Sequence, residues 1–136
     1  MKSKEYDWHI RMKCKIKYVQ EQGIVQVKPS GHMSKEDRKK LTEMMLATGR
    51  KNHVNEFLLN QKETAFGFSP LEIRRLPFVL RNNGFSTEDK MAIVINPDSL
   101  RKPLFGFLRE ILALSSLRVQ VFNDNLKAIA WLKESN

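Results

Sequence analysis

Apolar and polar positions alternate through two neighbouring segments near the start of the chain. Residues 12–20 and 24–30 place apolar side chains at every second position, and a short Gly-containing stretch separates the two segments. A period of two is typical of strands with one buried face. The pattern predicts a β-hairpin that has Lys13, Lys15 and Lys17 on its solvent face.

The centre of the chain combines an apolar strand with a strong helix start. Residues 57–59 are all apolar and predict a strand. Ser69 and Glu72, three residues apart, form a capping-box pattern, and Pro70 occupies an early helical position where a missing N–H has no cost. Pro77 lies inside the helix that follows, so we expect a kink there, with the helix continuing beyond it.

Three more helices are predicted from apolar positions spaced three or four residues apart. Ser34 and Asp37 predict the start of the first helix in the chain, and Gly49 predicts its end. Pro103 marks the start of the third helix, and Asn123 is the expected cap of the last one. We expect Leu126 to belong to the buried stripe of that last helix.

Two further strands complete the predicted order of elements. Residues 91–95 form a continuous apolar run, which suits a central strand buried on both faces, and residues 118–122 alternate. The order predicts an α/β fold: a mixed, mostly parallel five-stranded sheet opened by an antiparallel hairpin, with four helices. We expect residues 1–11 to form an N-terminal tail or a short cover strand, and residues 12–136 to form a single domain.

The net charge of +9 raises the question of a nucleic-acid partner. The cations form no run of five or more: those of the hairpin alternate, and those of residues 35–40 share a helical turn with Glu36 and Asp37. We interpret both groups as solvated faces, so nucleic acid is an unlikely partner, and binding of a polyanion is the alternative.

Length and composition narrow the class of protein further. The 136 residues are 41% hydrophobic, which is ordinary for a globular protein, and no apolar run approaches the ~20 residues of a membrane span. The single Cys14 excludes an intrachain disulfide, and its neighbours contain no group that would activate it. Together with an N-terminus that lacks a signal-like apolar segment, this composition favours the cytoplasm.

The order of elements, the capped central helix and the closing VQVFNDNLKAIAWL resemble the SpoIIAA-like family, which has the STAS fold of anti-sigma-factor antagonists. The resemblance covers about residues 12–134. It implies a β–α superhelix with strands in sequential order and a non-enzymatic regulatory or protein-interaction module. In phospho-regulated antagonists the phosphoacceptor serine lies at the start of the helix after the third strand. Ser69 occupies that position here. An Asp precedes that serine in the family and small residues follow it, whereas Phe68 and Pro70 flank Ser69.

A candidate binding rim lies where the third and fourth predicted strands end, because the carboxyl ends of parallel strands share one edge of a sheet. Two Phe-Gly-Phe triplets follow these strands, close to short polar side chains. The rim residues are Phe66, Phe68, Asn96, Asp98, Phe105 and Phe107. Either these rings close the end of the core, or they bind a protein partner or a small apolar ligand such as a lipid.

No residue pattern predicts catalysis, a metal or a cofactor. The three histidines, His9, His32 and His53, have no metal-site spacing, and neither a nucleophile elbow nor a phosphate-binding glycine loop is present. We therefore expect that the protein is not an enzyme. The protein partner is unknown, and a homodimer is a further alternative because residues 91–95 need cover on both faces.

Overall fold

The computed structural model describes residues 3–9, 12–65, 69–96 and 102–134. Within these residues the strands and helices alternate for most of the chain. The strands are β1 (Ser3–His9), β2 (Met12–Val19), β3 (Ile24–His32), β4 (Glu56–Asn60), β5 (Glu63–Ala65), β6 (Lys90–Val94) and β7 (Arg118–Phe122). The helices are α1 (Lys35–Lys51), α2 (Pro70–Asn82), α3 (Lys102–Leu114) and α4 (Asn125–Leu132).

The described strands form one sheet in the sequential order β1-β2-β3-β4-β6-β7, and β5 pairs with the end of β3. β1, β2 and β3 are antiparallel neighbours, and the remaining pairs are parallel. The predicted α/β fold with a hairpin and a mostly parallel sheet is therefore confirmed. The strands β1 and β5 are additional to the five predicted strands, and β1 pairs with β2 at the edge of the sheet. The single domain over residues 12–136 stays a prediction.

The larger core lies between the sheet and the helices α1, α2 and α3. Alternate residues of each inner strand point into it, which places Cys14, Phe57 and Met91 in one cluster with Leu41 and Ile73 of the helices. β2 shows the predicted alternation, with Met12, Cys14 and Ile16 buried and Lys13 and Lys15 exposed. The hairpin and its solvent face are thus as the sequence indicates.

A smaller core lies on the opposite face of the sheet, beneath α4. Ala92 and Val94 of β6 pack there against Ala128 and Leu132 of α4. All of β6 is buried, as predicted for the central apolar run. The expected buried stripe of the last helix is wrong at Leu126, which is exposed, because α4 turns the face that carries Ala128 and Leu132 to the sheet.

The helix boundaries test the predicted signals one by one. Capping boxes are present at the starts of α1 and α2, and α2 is one helix through Pro77. Gly49 does not end α1: the helix continues to Lys51, and His53 adopts the left-handed conformation (φ 58°) beyond its end. Asp124 rather than Asn123 caps α4, because its carboxylate accepts hydrogen bonds from the backbone N–H groups of Leu126 and Lys127.

No helix within the described ranges is both long and apolar enough to cross a membrane.

Candidate functional site

The start of α2 lies beyond the carboxyl end of β4 and is fixed by its own side chains. The backbone N–H of Glu72 donates to Ser69 Oγ (3.2 Å), and the backbone N–H of Ser69 donates to Glu72 Oε1 (3.3 Å). Ser69 is exposed. The capping role predicted for Ser69 is therefore present, and its hydroxyl stays open to solvent.

A charged contact joins α2 to α1 at this end of the molecule. The guanidinium of Arg38 in the second turn of α1 donates to the Glu72 carboxylate, and the two form an ion pair. Glu72 thus serves both the α2 cap and the contact to α1. Asp37 caps α1 in the same way, with a 2.9 Å hydrogen bond from the Ser34 backbone N–H. At both helix starts, the capping hydrogen bonds join residues that are three positions apart.

Next to this ion pair, residues of α1 and α2 line an apolar cavity of about 200 Å³, which we call the α1–α2 cavity. Its walls come from three helices and two strands. Its apolar residues are Leu41, Met45, Leu59, Leu71, Leu76, Val79, Leu80, Met91, Ile93 and Leu108. Its charged residues are Lys35, Arg38, Lys39, Glu72 and Arg75. The lining therefore contains four cations and one carboxylate around an apolar interior.

The outer surface of α2 carries the second notable feature, an apolar and basic face. Leu71 is 56% exposed, Phe78 64% and Val79 41%, and these are three of the five large apolar side chains that are exposed in the described part of the chain. Arg74 and Arg75 are exposed between them. Leu71, Phe78 and the two arginines share one side of the helix because their spacing is three or four residues. We call this the α2 outer face.

The structure describes only part of the predicted rim. Asn96 follows β6 and is exposed, whereas Phe105 and Phe107 of α3 are partly buried and pack against the larger core. Phe66, Phe68 and Asp98 lie outside the described residues. β4 and β6 are parallel neighbours, so the loops that follow them do leave one edge of the sheet. The rim as a binding site stays a prediction.

The described residues contain neither a cluster of metal ligands nor a reactive thiol. Within the described ranges no three His, Cys, Asp or Glu residues are placed to hold a metal ion. Cys14 is fully buried, and burial raises the pKa of its thiol to about 12, so the thiol is protonated at neutral pH. Cys14 is thus a small buried residue on the inward face of β2.

Comparison with solved structures decides the fold. The chain superposes on the crystal structure of an anti-sigma factor antagonist from Mycobacterium paratuberculosis with a TM-score of 0.60. The match covers 90% of this chain and 95% of that chain, at 13% sequence identity. The chain has the STAS fold. The resemblance seen in the sequence is thus confirmed at the level of the fold.

The other two comparisons, with protein-family models and with curated proteins, found no match. At 13% identity, the superposition on the antagonist supports the shared arrangement of strands and helices.

Neither the α1–α2 cavity nor the α2 outer face was predicted from the sequence. A signal for the outer face was present: Leu71 and Phe78 lie seven residues apart, on the side of α2 opposite Ile73 and Leu80. The cavity had no comparable signal, because Met45, Leu76 and Met91 belong to three elements and each occupies an ordinary core position of its own element.

Proposed function

We propose that this chain is a non-enzymatic, cytoplasmic regulatory module of the STAS type that binds another protein through the α2 outer face. The single observation that carries the proposal is the cluster of exposed Leu71 and Phe78 beside Arg74 and Arg75. Aromatic residues and arginines are enriched in protein interfaces and in their energetic hot spots. The STAS fold, which the chain shares with an anti-sigma factor antagonist, supports the same class of function.

The composition of the α2 outer face indicates the chemistry of the partner. Phe78 would fill an apolar pocket, and Arg74 and Arg75 would pair with carboxylates around that pocket. The partner surface is therefore expected to be apolar at its centre and acidic at its edge. Ser69 begins the same helix, so a phosphate there would add negative charge next to the basic face. The regulatory role of Ser69 stays a prediction.

The experiment compares two matched double variants. Phe78→Ser with Arg74→Glu removes one exposed apolar residue and reverses one charge on α2. Leu126→Ser with Lys127→Glu makes the same kind of change on α4, where Leu126 is 79% exposed and Lys127 is exposed. Proteins that co-purify with the wild type from the native host are identified, and their affinities for the three proteins are measured by calorimetry.

We expect the α2 variant to weaken binding of the specific partner at least about tenfold and the α4 variant to leave it unchanged. Higher salt should also weaken wild-type binding. Equal affinity for the wild type and the α2 variant would remove the α2 outer face from the proposal. Absence of any protein that binds the wild type specifically would overturn the regulatory module itself.

The alternative of a small apolar ligand at the phenylalanine rim stays a prediction. Phe105 and Phe107 pack against the larger core and do not line the α1–α2 cavity. The described residues therefore favour a different place for such a ligand.

A further inference from the structure

The α1–α2 cavity has the size and lining of a site for one short apolar chain. Its volume of about 200 Å³ exceeds the ~150 Å³ of engineered apolar cavities that accept benzene, so it has room for roughly six to ten carbon atoms. Met45, Met91 and Leu108 close its inner end. Methionine side chains adapt easily to the shape of a bound group, which suits a flexible chain better than a rigid ring.

The charges at the cavity favour an anionic head group on that chain. Lys35, Lys39 and Arg75 border the cavity and form no ion pair with a carboxylate in the described part of the chain. Glu72, the one carboxylate in the lining, is paired with Arg38. A ligand oxyanion would therefore meet basic side chains without competing against an unpaired acid.

We propose that the α1–α2 cavity binds a medium-chain carboxylate, with the alkyl chain among the apolar residues and the carboxylate at Lys35, Lys39 and Arg75. A cation at the head would be repelled, and a neutral head would make weaker hydrogen bonds with the same side chains. A chain of about four carbons would leave most of the apolar volume empty. The site thus selects by both charge and length.

This inference shares Leu71 and Arg75 with the proposed partner surface, but the two can be tested separately. Phe78 and Arg74, which distinguish the α2 outer face, do not line the cavity. The two proposals can therefore fail separately, because substitutions at Phe78 and Arg74 test the surface and substitutions inside the cavity test the ligand site.

The test titrates the purified full chain with octanoate below its micelle concentration, by calorimetry and by amide chemical-shift mapping. Octan-1-ol, octylamine and butyrate serve as the neutral, cationic and short probes. Val79→Trp fills the cavity from α2, and Leu114→Trp is its control, because Leu114 is 78% exposed on α3 and does not line the cavity. Lys39→Gln with Arg75→Gln removes charge at the head-group end, with Lys127→Gln on α4 as the control.

We expect octanoate to bind at least about tenfold more tightly than octan-1-ol, octylamine or butyrate, and its shifts to map to α1, α2 and β6. Val79→Trp should abolish binding, the double charge variant should weaken it about tenfold, and both controls should bind as the wild type does. Circular dichroism confirms folding of each variant, and the charge variant keeps the proposal testable if Val79→Trp does not fold.

Three outcomes would overturn the proposal. If octanoate does not bind the wild type, or binds a folded Val79→Trp protein with unchanged affinity, the cavity is not the binding site. If octan-1-ol binds as tightly as octanoate, the site does not select an anionic head group. Loss of protein-partner binding in Val79→Trp, without any octanoate binding to the wild type, assigns the cavity to a side chain of that partner instead.

Discussion

At the scale of single residues, Asp89 is the most deeply buried acidic side chain among the described residues, with 1% of its surface exposed. Arg50 donates from both terminal nitrogens to its two carboxylate oxygens, each at 2.7 Å. The backbone N–H and the hydroxyl of Ser86 donate to the same carboxylate. This arrangement joins the last turn of α1 to the segment that enters β6. Burial by itself would raise the pKa of Asp89, but the hydrogen bonds from Arg50 and Ser86 outweigh it and the pKa is lowered.

We predict that Asp89→Asn lowers the free energy of unfolding by about 2 kcal/mol at pH 7, because the variant loses charge-assisted hydrogen bonds. A carboxylate whose pKa is lowered in the native state stabilises the protein above its ordinary pKa of 3.8, and this contribution disappears as the pH falls through the lower native value. The difference between wild type and variant should be constant from pH 7 to about pH 4 and shrink below it. Urea unfolding across this pH range measures it.

The neighbouring Glu88 provides the control for this measurement, since its side chain is exposed. Glu88→Gln should change the free energy of unfolding by less than about 0.5 kcal/mol. A stability difference for Asp89→Asn that grows as the pH falls would contradict the lowered pKa.

At the scale of secondary-structure elements, Gly49 and Gly106 both lie inside helices but differ in what surrounds them. A Cβ at Gly49 of α1 would lie 2.7 Å from the ring of Phe57 and 2.8 Å from the carbonyl oxygen of Val54. A Cβ at Gly106 of α3 would meet no atom within 4 Å among the described residues. Gly49 therefore allows α1 to approach β4 closely. Close packing thus accounts for Gly49, whereas no contact among the described residues requires a glycine at position 106.

We predict that Gly49→Ala destabilises the protein by about 1–3 kcal/mol, because overpacking against Phe57 exceeds the gain in helix propensity. Gly106→Ala should instead stabilise it by up to about 1 kcal/mol, since only the propensity changes. Thermal and urea unfolding of the two single variants give both signs in one experiment. An increase in stability for Gly49→Ala would show that α1 can shift away from β4 without cost.

Helix starts could be predicted from the sequence more reliably than helix ends or buried faces. The caps at Ser34 and Ser69 depend on residues three positions away, so the signal is complete within one turn. The end of α1 could not be predicted in the same way, because His53 takes the left-handed position that Gly or Asn usually occupies after a helix. The buried face of α4 depends on where the helix meets β6, and that contact is not visible in residues 125–132 alone.

At the scale of the whole molecule, α4 supplies the cover that the central apolar strand requires. Ala128 and Leu132 pack on Ala92 and Val94, so the second face of β6 is buried within one chain. The sequence suggests a homodimer as one means of covering this strand. The homodimer stays a prediction, but the cover of β6 no longer supports it. The alternation of strands and helices could be predicted from periodicity, and the sequential strand order from the family resemblance. The α1–α2 cavity could not be predicted, because residues from five elements line it.

The attachment of α4 depends on Lys90, which is 3% exposed at the start of β6. Its Nζ donates to the carbonyl oxygens of Trp131 (2.6 Å), Leu132 (3.3 Å) and Glu134 (3.3 Å), at the carboxyl end of α4. The same Nζ lies 4.7 Å from the centroid of the Trp131 ring. A cation at this end of a helix satisfies carbonyl groups that have no partner in the helix and interacts favourably with the helix dipole.

We predict that Lys90→Met destabilises the protein by about 2 kcal/mol, because a methionine fills the same volume but donates no hydrogen bond to these three carbonyl groups. The Trp131 environment should change as well, so its fluorescence emission should shift to longer wavelength in a Trp8→Phe background, where Trp131 is the single tryptophan. Lys127→Met, an exposed change on the same helix, should alter neither stability nor emission by a comparable amount. Equal effects of the two substitutions would mean that Lys90 is buried without stabilising the contact between α4 and the sheet.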